Sequence, residues 1–170
     1  MRARMARIGL VLVVATFASA TGRAQKAATL TALDYEEIRN LYGRYTHAFD
    51  AGDGQAVANV YTPDGAFVTG GRATEGREKL AAMPRAPMPG RPSIRHLPAN
   101  IVIDPAPGGA KGMAYVMVLT VEAGKPPVFA MGGLYEDVIV KTSEGWRFKR
   151  RTFTPWNAPP AASAPAPAPR

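Results

Sequence analysis

Few side chains in this sequence are suited to chemistry. The 170 residues include two histidines, His47 and His96, and no cysteine. The lack of cysteine excludes thiol chemistry and Cys-based zinc sites, and two separated histidines argue against any metal site. The glycine-rich stretches lack the spacing of a phosphate-binding loop, and no Gly-x-Ser-x-Gly motif is present.

A few positions stand out by residue type and by the element predicted to carry them. Asp50 ends a predicted helix, where the negative end of the helix dipole disfavours a carboxylate. Tyr135 and Asp137 alternate onto one face of a predicted strand. His47 falls on the polar face of the helix that precedes Asp50, which predicts a solvated side chain.

The helix that carries Asp50 is the clearest periodic feature of the chain and is predicted from Thr31 to Ala51. Apolar residues recur at three- and four-residue steps on one face: Ile38, Leu41, Tyr42, Tyr45, Ala48 and Phe49. Thr31 and Asp34 resemble a capping pair, and Gly52 breaks the helix. A short second helix turns Tyr61 inward, and Thr62-Pro63-Asp64-Gly65 is predicted to end it as a turn.

The rest of the domain is predicted to be mostly β. A short strand at 66–69 and a brief helix at about 77–83 precede a Pro-rich loop at 84–92. Four strands then follow: Ser93 to Ile103, Gly112 to Glu122, Val128 to Lys141 and Trp146 to Thr154. Short turns between them imply an antiparallel meander, and helices followed by a run of strands indicate the α+β class.

The strand from Met113 to Val121 is apolar on both alternating faces. Met113, Tyr115 and Met117 share one face, while Ala114 and Val116 share the other. A strand of this kind is covered on both faces. Because the helices cover one side, we expect a second copy of the chain to cover the other, as a homodimer.

The net charge of +8 does not indicate nucleic-acid binding. Four of the 21 basic residues lie in or beside the N-terminal leader, which leaves 17 against 13 acidic residues, or +4. Alternation sends Arg147, Lys149 and Arg151 to one face of the last strand, and a basic strand edge blocks unwanted pairing. Binding to nucleic acid would need a broader patch with aromatic platforms.

Both ends of the sequence are predicted to lie outside the folded domain. Basic residues, an apolar run from Ile8 to Ala18 and then small residues predict a signal peptide over 1–24, cleaved after Ala20 or Ala24. The run is too short to span a bilayer, so an exported protein without a membrane span is expected. One domain is predicted at 28–156, and an extended Ala/Pro-rich tail at 157–170.

The order of elements and several stretches of sequence resemble the SnoaL-like family of the nuclear transport factor 2-like superfamily. These stretches are Tyr45–Asp53 followed by Tyr61–Phe67, then Gly76, Arg95-His96 with Asn100, and Gly133–Asp137 before Gly145–Phe148. The resemblance covers Leu30 to Trp156. It implies a cone-shaped α+β barrel, with three N-terminal helices packed on a strongly curved, mostly antiparallel sheet around an apolar pocket.

Asp50 and His96 resemble a pair of pocket residues in scytalone dehydratase. The residues around Asp50 are similar to the segment that carries a pocket aspartate, and Arg95-His96-Leu97 is similar to a strand that carries a pocket histidine. The resemblance implies that the Asp50 carboxylate fixes the His96 tautomer, so that the free ring nitrogen moves a proton. A solvated Asp50 and a merely structural His96 remain the alternatives.

Other pocket positions are implied by the same family. Tyr45 matches the oxyanion-stabilising tyrosine of ketosteroid isomerase, with plain core packing as the alternative. The remaining predicted ligand-pocket residues are Asn100, Met117, Tyr61, Tyr135 and Asp137. Asp137 is expected either to act as a second acid or base or to pair with a strand arginine.

Two departures limit the expected reaction. Thr69 stands where the isomerase has its general base, and Val116 or Met117 stands where the dehydratase has a second pocket histidine. The resemblance therefore implies a cofactor-independent acid/base enzyme of the cyclase, dehydratase or isomerase type, acting on a small apolar carbonyl or cyclic compound. The alternative is a non-catalytic module that uses the same fold to bind a small ligand or a protein.

Overall fold

The computed structural model describes residues 29–159, except 87, 89 and 91. In chain order the elements are α1 (Ala32–Ala51), α2 (Gly54–Asn59), β1 (Tyr61–Thr69), β2 (Arg72–Glu75), α3 (Arg77–Ala81), β3 (Ser93–Ala106), β4 (Gly109–Val121), β5 (Val128–Thr142) and β6 (Gly145–Pro155). The predicted leader and residues 160–170 of the predicted tail lie outside the described residues. In the described part of the chain, no helix is both long and apolar enough to cross a membrane.

Helix α1 is held at both ends by its own sequence. Thr31 and Asp34 form a reciprocal capping box at its start, as predicted. Gly52 ends it in the left-handed conformation at φ 73°. A Cβ at Gly52 would lie 2.4 Å from the Cα of Ala86, so glycine is needed there for space as well as for conformation. The predicted apolar face of α1 is buried against the sheet.

The strands form one six-stranded, curved and unclosed sheet in the order β2-β1-β6-β5-β4-β3. Strands β3 to β6 form the predicted antiparallel meander, whereas β1 pairs with β6 in parallel. Irregularities between Ala99 and Val102 in β3, and between Val138 and Ile139 in β5, interrupt the regular pairing. Such bulges bend strands and increase twist, as a cone-shaped sheet requires. The predicted α+β cone is confirmed.

Two predictions about the first strands were wrong. Thr62-Pro63-Asp64-Gly65 does not separate a helix from a strand but lies within β1, where the pairing with β6 shifts between Tyr61 and Ala66. Strand β2 was not predicted, because Arg72-Ala73-Thr74-Glu75 shows no apolar alternation. Its pairing with β1 alone defines it.

The predicted common face for the basic residues of β6 was also wrong. Phe148 pairs with Ile139 and Arg150 pairs with Val138, so Lys149 is an extra residue in β6. The bulge reverses the alternation and turns Arg151 into the core, where its side chain is fully buried. Strand β6 lies between β1 and β5, so it is not an edge that basic residues could protect.

The two faces of the sheet differ sharply in exposure. On the face toward the helices, Ala114 and Val116 of β4 are fully buried. On the outer face, apolar side chains from three strands and from the residue that follows β6 remain between 37% and 54% exposed: Leu97, Met113, Tyr115, Met117, Phe129 and Trp156. The two-sided apolar pattern of β4 therefore corresponds to one buried face and one exposed apolar face.

Candidate active site

Asp50 and His96 meet where the end of α1 crosses β3. Asp50 Oδ1 lies 2.5 Å from His96 Nδ1, and the backbone N–H of His96 donates to Asp50 Oδ2 at 2.9 Å. The two side chains are 13% and 11% exposed, respectively. One carboxylate therefore holds both the backbone and the ring of the same histidine.

Local structure accounts for this meeting. Asp50 occupies the last turn of α1, and its negative charge at the helix C-terminus is offset by the two N–H groups of His96. His96 pairs with Val118 of β4, a buried residue, so its ring is on the face of the sheet toward the helices. Phe49 packs edge-on against the imidazole at 5.1 Å between ring centroids, which further fixes the ring orientation.

This arrangement selects one tautomer of neutral His96. With the carboxylate accepting at Nδ1, the proton resides on Nδ1 and the lone pair resides on Nε2. Within the described residues, Nε2 makes no hydrogen bond. Asp50 and His96 therefore form a dyad that can accept a proton at Nε2 and return it. Asp50 stabilises the imidazolium that exists between the two steps.

Two clefts adjoin the dyad, and Asp50 and Ser93 line both. The first has a volume of about 380 Å³, and Phe49, Met83, Met88 and Ile94 supply much of its apolar wall. Arg85 is also part of its lining. The second cleft, of about 810 Å³, lies between α1 and β3 and is lined by His96 and Arg95. Both volumes fall in the range of small-molecule sites.

The interior of the cone is packed rather than hollow around the predicted tyrosines. Tyr45, Tyr61 and Tyr135 are at most 3% exposed. The ring centroid of Tyr45 lies 6.1 Å from that of Tyr61 and 6.1 Å from that of Tyr135. Burial, with the neighbouring phenols as a further cause, raises the pKa of Tyr45 and Tyr135 well above the usual value. These phenols therefore stay protonated at neutral pH.

Asp137 pairs with Arg151 at the centre of this aromatic packing. Arg151 Nε donates to Asp137 Oδ1 at 2.8 Å and Nη2 donates to Oδ2 at 2.9 Å. Both side chains are fully buried. The guanidinium carbon lies between 3.9 and 4.8 Å from four ring centroids, those of Tyr42, Tyr45, Tyr135 and Phe148. Of the two expectations for Asp137, the structure shows the ion pair with a strand arginine.

The predicted ligand-pocket residues do not share one cavity. Asn100 adopts φ 51° within the irregular part of β3, and its side chain is exposed. Met117 lies on the outer face of β4, 37% exposed, opposite Leu97 and Gly132. The bulge in β3 and the alternation of β4 therefore separate Asn100 and Met117 from the buried set of Tyr61, Tyr135 and Asp137.

The residues around the dyad that sequence reasoning missed are mostly apolar. Phe49 was assigned to the apolar face of α1, and its place next to Asp50 was the available signal for contact with the dyad. Met83, Arg85 and Ile94 belong to the loop and strand after α3, where periodicity gives no information about tertiary contacts. Among the described residues, no group of three or more His, Asp or Glu side chains is arranged to hold a metal ion.

Comparison with known proteins supports this architecture. The family model of the SnoaL-like domain matches residues 30–152, which is most of the chain. The chain belongs to the SnoaL-like family. That family includes enzymes such as cyclases and dehydratases, and its fold is of a kind that holds small ligands. No curated protein matches the sequence.

Several solved structures are similar to this SnoaL-like chain. ActVI-ORFA from Streptomyces coelicolor has 26% identity and a TM-score of 0.68, over 75% of this chain and 100% of that chain. An NTF2-like protein with a cystatin-like fold from Novosphingobium aromaticivorans has 22% identity and a TM-score of 0.66, over 75% and 85%. A candidate scytalone dehydratase from the same organism has 20% identity and a TM-score of 0.59, over 72% and 84%. The latter two agree in fold alone.

Proposed function

We propose that this SnoaL-like protein is a cofactor-independent acid/base enzyme of the cyclase, dehydratase or isomerase type, acting on a small, largely apolar carbonyl or cyclic compound. The observation that carries the proposal is the Asp50–His96 dyad, with 2.5 Å between the carboxylate and Nδ1, beside clefts of ligand size. His96 itself lines the larger of the two clefts.

In the proposed reaction, His96 Nε2 takes a proton from a carbon next to the carbonyl of the substrate. Asp50 stabilises the resulting imidazolium without itself being protonated. The imidazolium then returns the proton to another atom of the same substrate, such as a departing hydroxyl or a neighbouring carbon. Tyr45 and Asp137 take no part in these steps, because both are packed in the interior with Arg151.

The test begins with a thermal-shift screen of apolar carbonyl compounds against the purified protein, followed by turnover assays on the compounds that stabilise it. We expect His96→Gln to lower turnover by about 10²-fold or more, the lower end of what a general acid/base contributes. Asp50→Asn should also lower it, because an amide does not hold the tautomer. Both variants should still bind the compounds. Asp104→Asn, on an exposed position of β3 beyond the clefts, is the matched control. Unchanged turnover in both His96→Gln and Asp50→Asn would show that the dyad is not catalytic.

A binding module without catalysis is the second candidate, and the packed interior favours it. Tyr45, Tyr61 and Tyr135 occupy space in the cone, so the clefts at its edge are left for ligands. In that case the screen would find compounds that shift the melting temperature, with no turnover of any of them.

We also propose that the protein is exported, on the strength of the predicted leader over residues 1–24. Expression of the full-length chain in a bacterial host tests this. The mass of the protein recovered outside the cytoplasm should correspond to cleavage after Ala20 or Ala24. Recovery of the uncleaved chain from the cytoplasm alone would refute export.

A further inference from the structure

The two clefts beside the dyad are each lined by one arginine and by the carboxylate of Asp50. The one carboxylate among their described lining residues is that of Asp50, and both of its oxygens accept N–H groups of His96. Arg85 lines the smaller cleft and Arg95 lines the larger one. In each cleft the arginine is the charge without an ion-pair partner among the described residues, so it can attract a ligand of the opposite sign.

Arg85 is available to a ligand. Its side chain is exposed, and within the described residues it makes no ion pair. Arg95 differs, because its Nη1 donates to the backbone oxygen of Ile94 at 2.6 Å. A planar guanidinium presents two parallel N–H groups that match the two oxygens of a carboxylate.

The backbone at Arg85 is fixed against the end of α1. A Cβ at Gly52 would lie 2.4 Å from the Cα of Ala86 and 2.9 Å from the backbone oxygen of Arg85. These contacts place the backbone of Arg85 and Ala86 against Gly52, the residue that follows α1 and lies two residues after Asp50. The backbone that carries Arg85 therefore packs at the same helix terminus as Asp50.

The rest of the smaller cleft is suited to a ring. Phe49, Met83, Met88 and Ile94 provide aromatic, thioether and aliphatic surface. Thioether side chains adapt to flat apolar ligands of different outline. A ligand that uses the whole cleft would therefore combine an apolar ring with one negative group.

We propose that the ligand of the smaller cleft is a small aromatic or alicyclic carboxylate, and that Arg85 binds its carboxylate group while the ring lies against the apolar wall. This inference rests on the proposed function, because it takes the smaller cleft to be part of the substrate site; that cleft shares Asp50 and Ser93 with the larger cleft, which His96 lines. It narrows the substrate from a largely apolar compound to an apolar monoanion. Arg85 is then a residue that determines specificity.

The experiment compares matched pairs that differ only in charge: benzoate and benzamide, 2-naphthoate and 2-naphthamide, cyclohexanecarboxylate and its amide. Their dissociation constants are measured by calorimetry or ligand-observed NMR at low salt. We expect the preferred ring size to bind about tenfold tighter as the carboxylate than as the amide, as for a charge-assisted hydrogen bond. Arg85→Gln should bring this ratio close to one. Arg72→Gln, an exposed arginine of β2 outside the clefts, should leave the ratio unchanged.

Equal binding of acid and amide for every pair, or no binding of any probe, would overturn the inference. A carboxylate preference that survives Arg85→Gln would also overturn the role of this arginine. The preference should shrink as salt is raised, because exposed charges are screened. Asp50→Asn and His96→Gln separate the two proposals. If these two variants lose turnover but keep the carboxylate preference, both proposals are supported. If the unmodified protein prefers carboxylates but turns none of them over, anion recognition is supported and the enzyme proposal is wrong.

Discussion

Arg151 and Asp137 form an ion pair in which both side chains are fully buried. A buried ion pair is weak evidence for stability, but removal of one partner leaves an uncompensated charge. Burial alone would lower the pKa of the Arg151 guanidinium, but the adjacent Asp137 charge outweighs it and raises that pKa well above the usual value. The arginine is therefore charged in the folded protein and depends on Asp137.

We predict that Asp137→Asn destabilises the fold by about 3–5 kcal/mol, the cost of breaking a buried pair. The double substitution Asp137→Leu with Arg151→Met should recover much of this loss, because it removes both charges and keeps apolar volume. Urea unfolding followed by circular dichroism measures both. The exposed Asp104→Asn should change the free energy of unfolding by about 0.5 kcal/mol or less. A small effect of Asp137→Asn would mean that Arg151 finds another partner.

At the residue scale, only part of the candidate site could be predicted from the sequence. Asp50 and His96 are 46 residues apart, so no local period could pair them, and family resemblance alone suggested their contact. The place of Arg151 could not be predicted, because one extra residue in β6, Lys149, reverses the alternation on which the prediction relied. Bulges depend on long-range pairing and leave little trace in a single sequence.

At the scale of elements, the start of α1 is tied to the hairpin of β5 and β6 through the carboxylate of Asp34. Asp34 Oδ1 accepts from Lys141 Nζ of β5 at 2.7 Å and from Trp146 Nε1 of β6 at 3.0 Å. Its other oxygen accepts from the N-cap residue Thr31. The hydrogen bond from Lys141, and then those from Thr31, hold the pKa of Asp34 well below its usual value.

This lowered pKa makes a stability contribution that depends on pH. A carboxyl with a lower pKa in the folded state stabilises the fold above its unfolded value of 3.8, and the contribution is lost as pH falls through the range below it. We therefore expect Asp34→Asn to lower the melting temperature at pH 7, with a difference that narrows below about pH 4. Thermal unfolding between about pH 2 and 7 measures this. A constant difference across that range would show that the lost cap geometry, not the charge, is responsible.

Most elements could be predicted because their causes are local. The period of α1 and its caps lie within the helix, and the turns between β3 and β6 contain glycine or proline. Strand β2 could not, since its four residues owe their conformation to pairing with β1. The same holds for the parallel pairing of β1 with β6, which joins the two ends of the domain.

The molecule as a whole exposes an apolar sheet face. Trp156 covers Gly132, stacks on Phe129 with an interplanar angle of 13° and meets Tyr115 edge-on. Met113 and Met117 extend this surface along β4. Contiguous exposed apolar surface of this kind marks an interaction site.

We predict that the chain is a homodimer through this outer face, so that each copy covers the other. Analytical ultracentrifugation of the unmodified protein should give twice the mass of one chain. Tyr115→Glu and Met117→Glu should give monomers that remain folded, because both side chains are 37% exposed or more. Arg72→Glu, outside the outer face, is the control and should remain dimeric. A monomeric unmodified protein would show the prediction to be wrong.

The hydrogen bond between the His96 amide and the Asp50 carboxylate has a consequence for how the site can be observed. Exchange of this amide proton with deuterium requires the carboxylate to release it, so its exchange rate follows opening of the dyad. Neighbouring amides of β3 that are bonded within the sheet exchange only when strands separate. When reclosing is faster than chemical exchange, the rate at His96 gives the free energy of opening the pair in the resting protein, before any substrate is known.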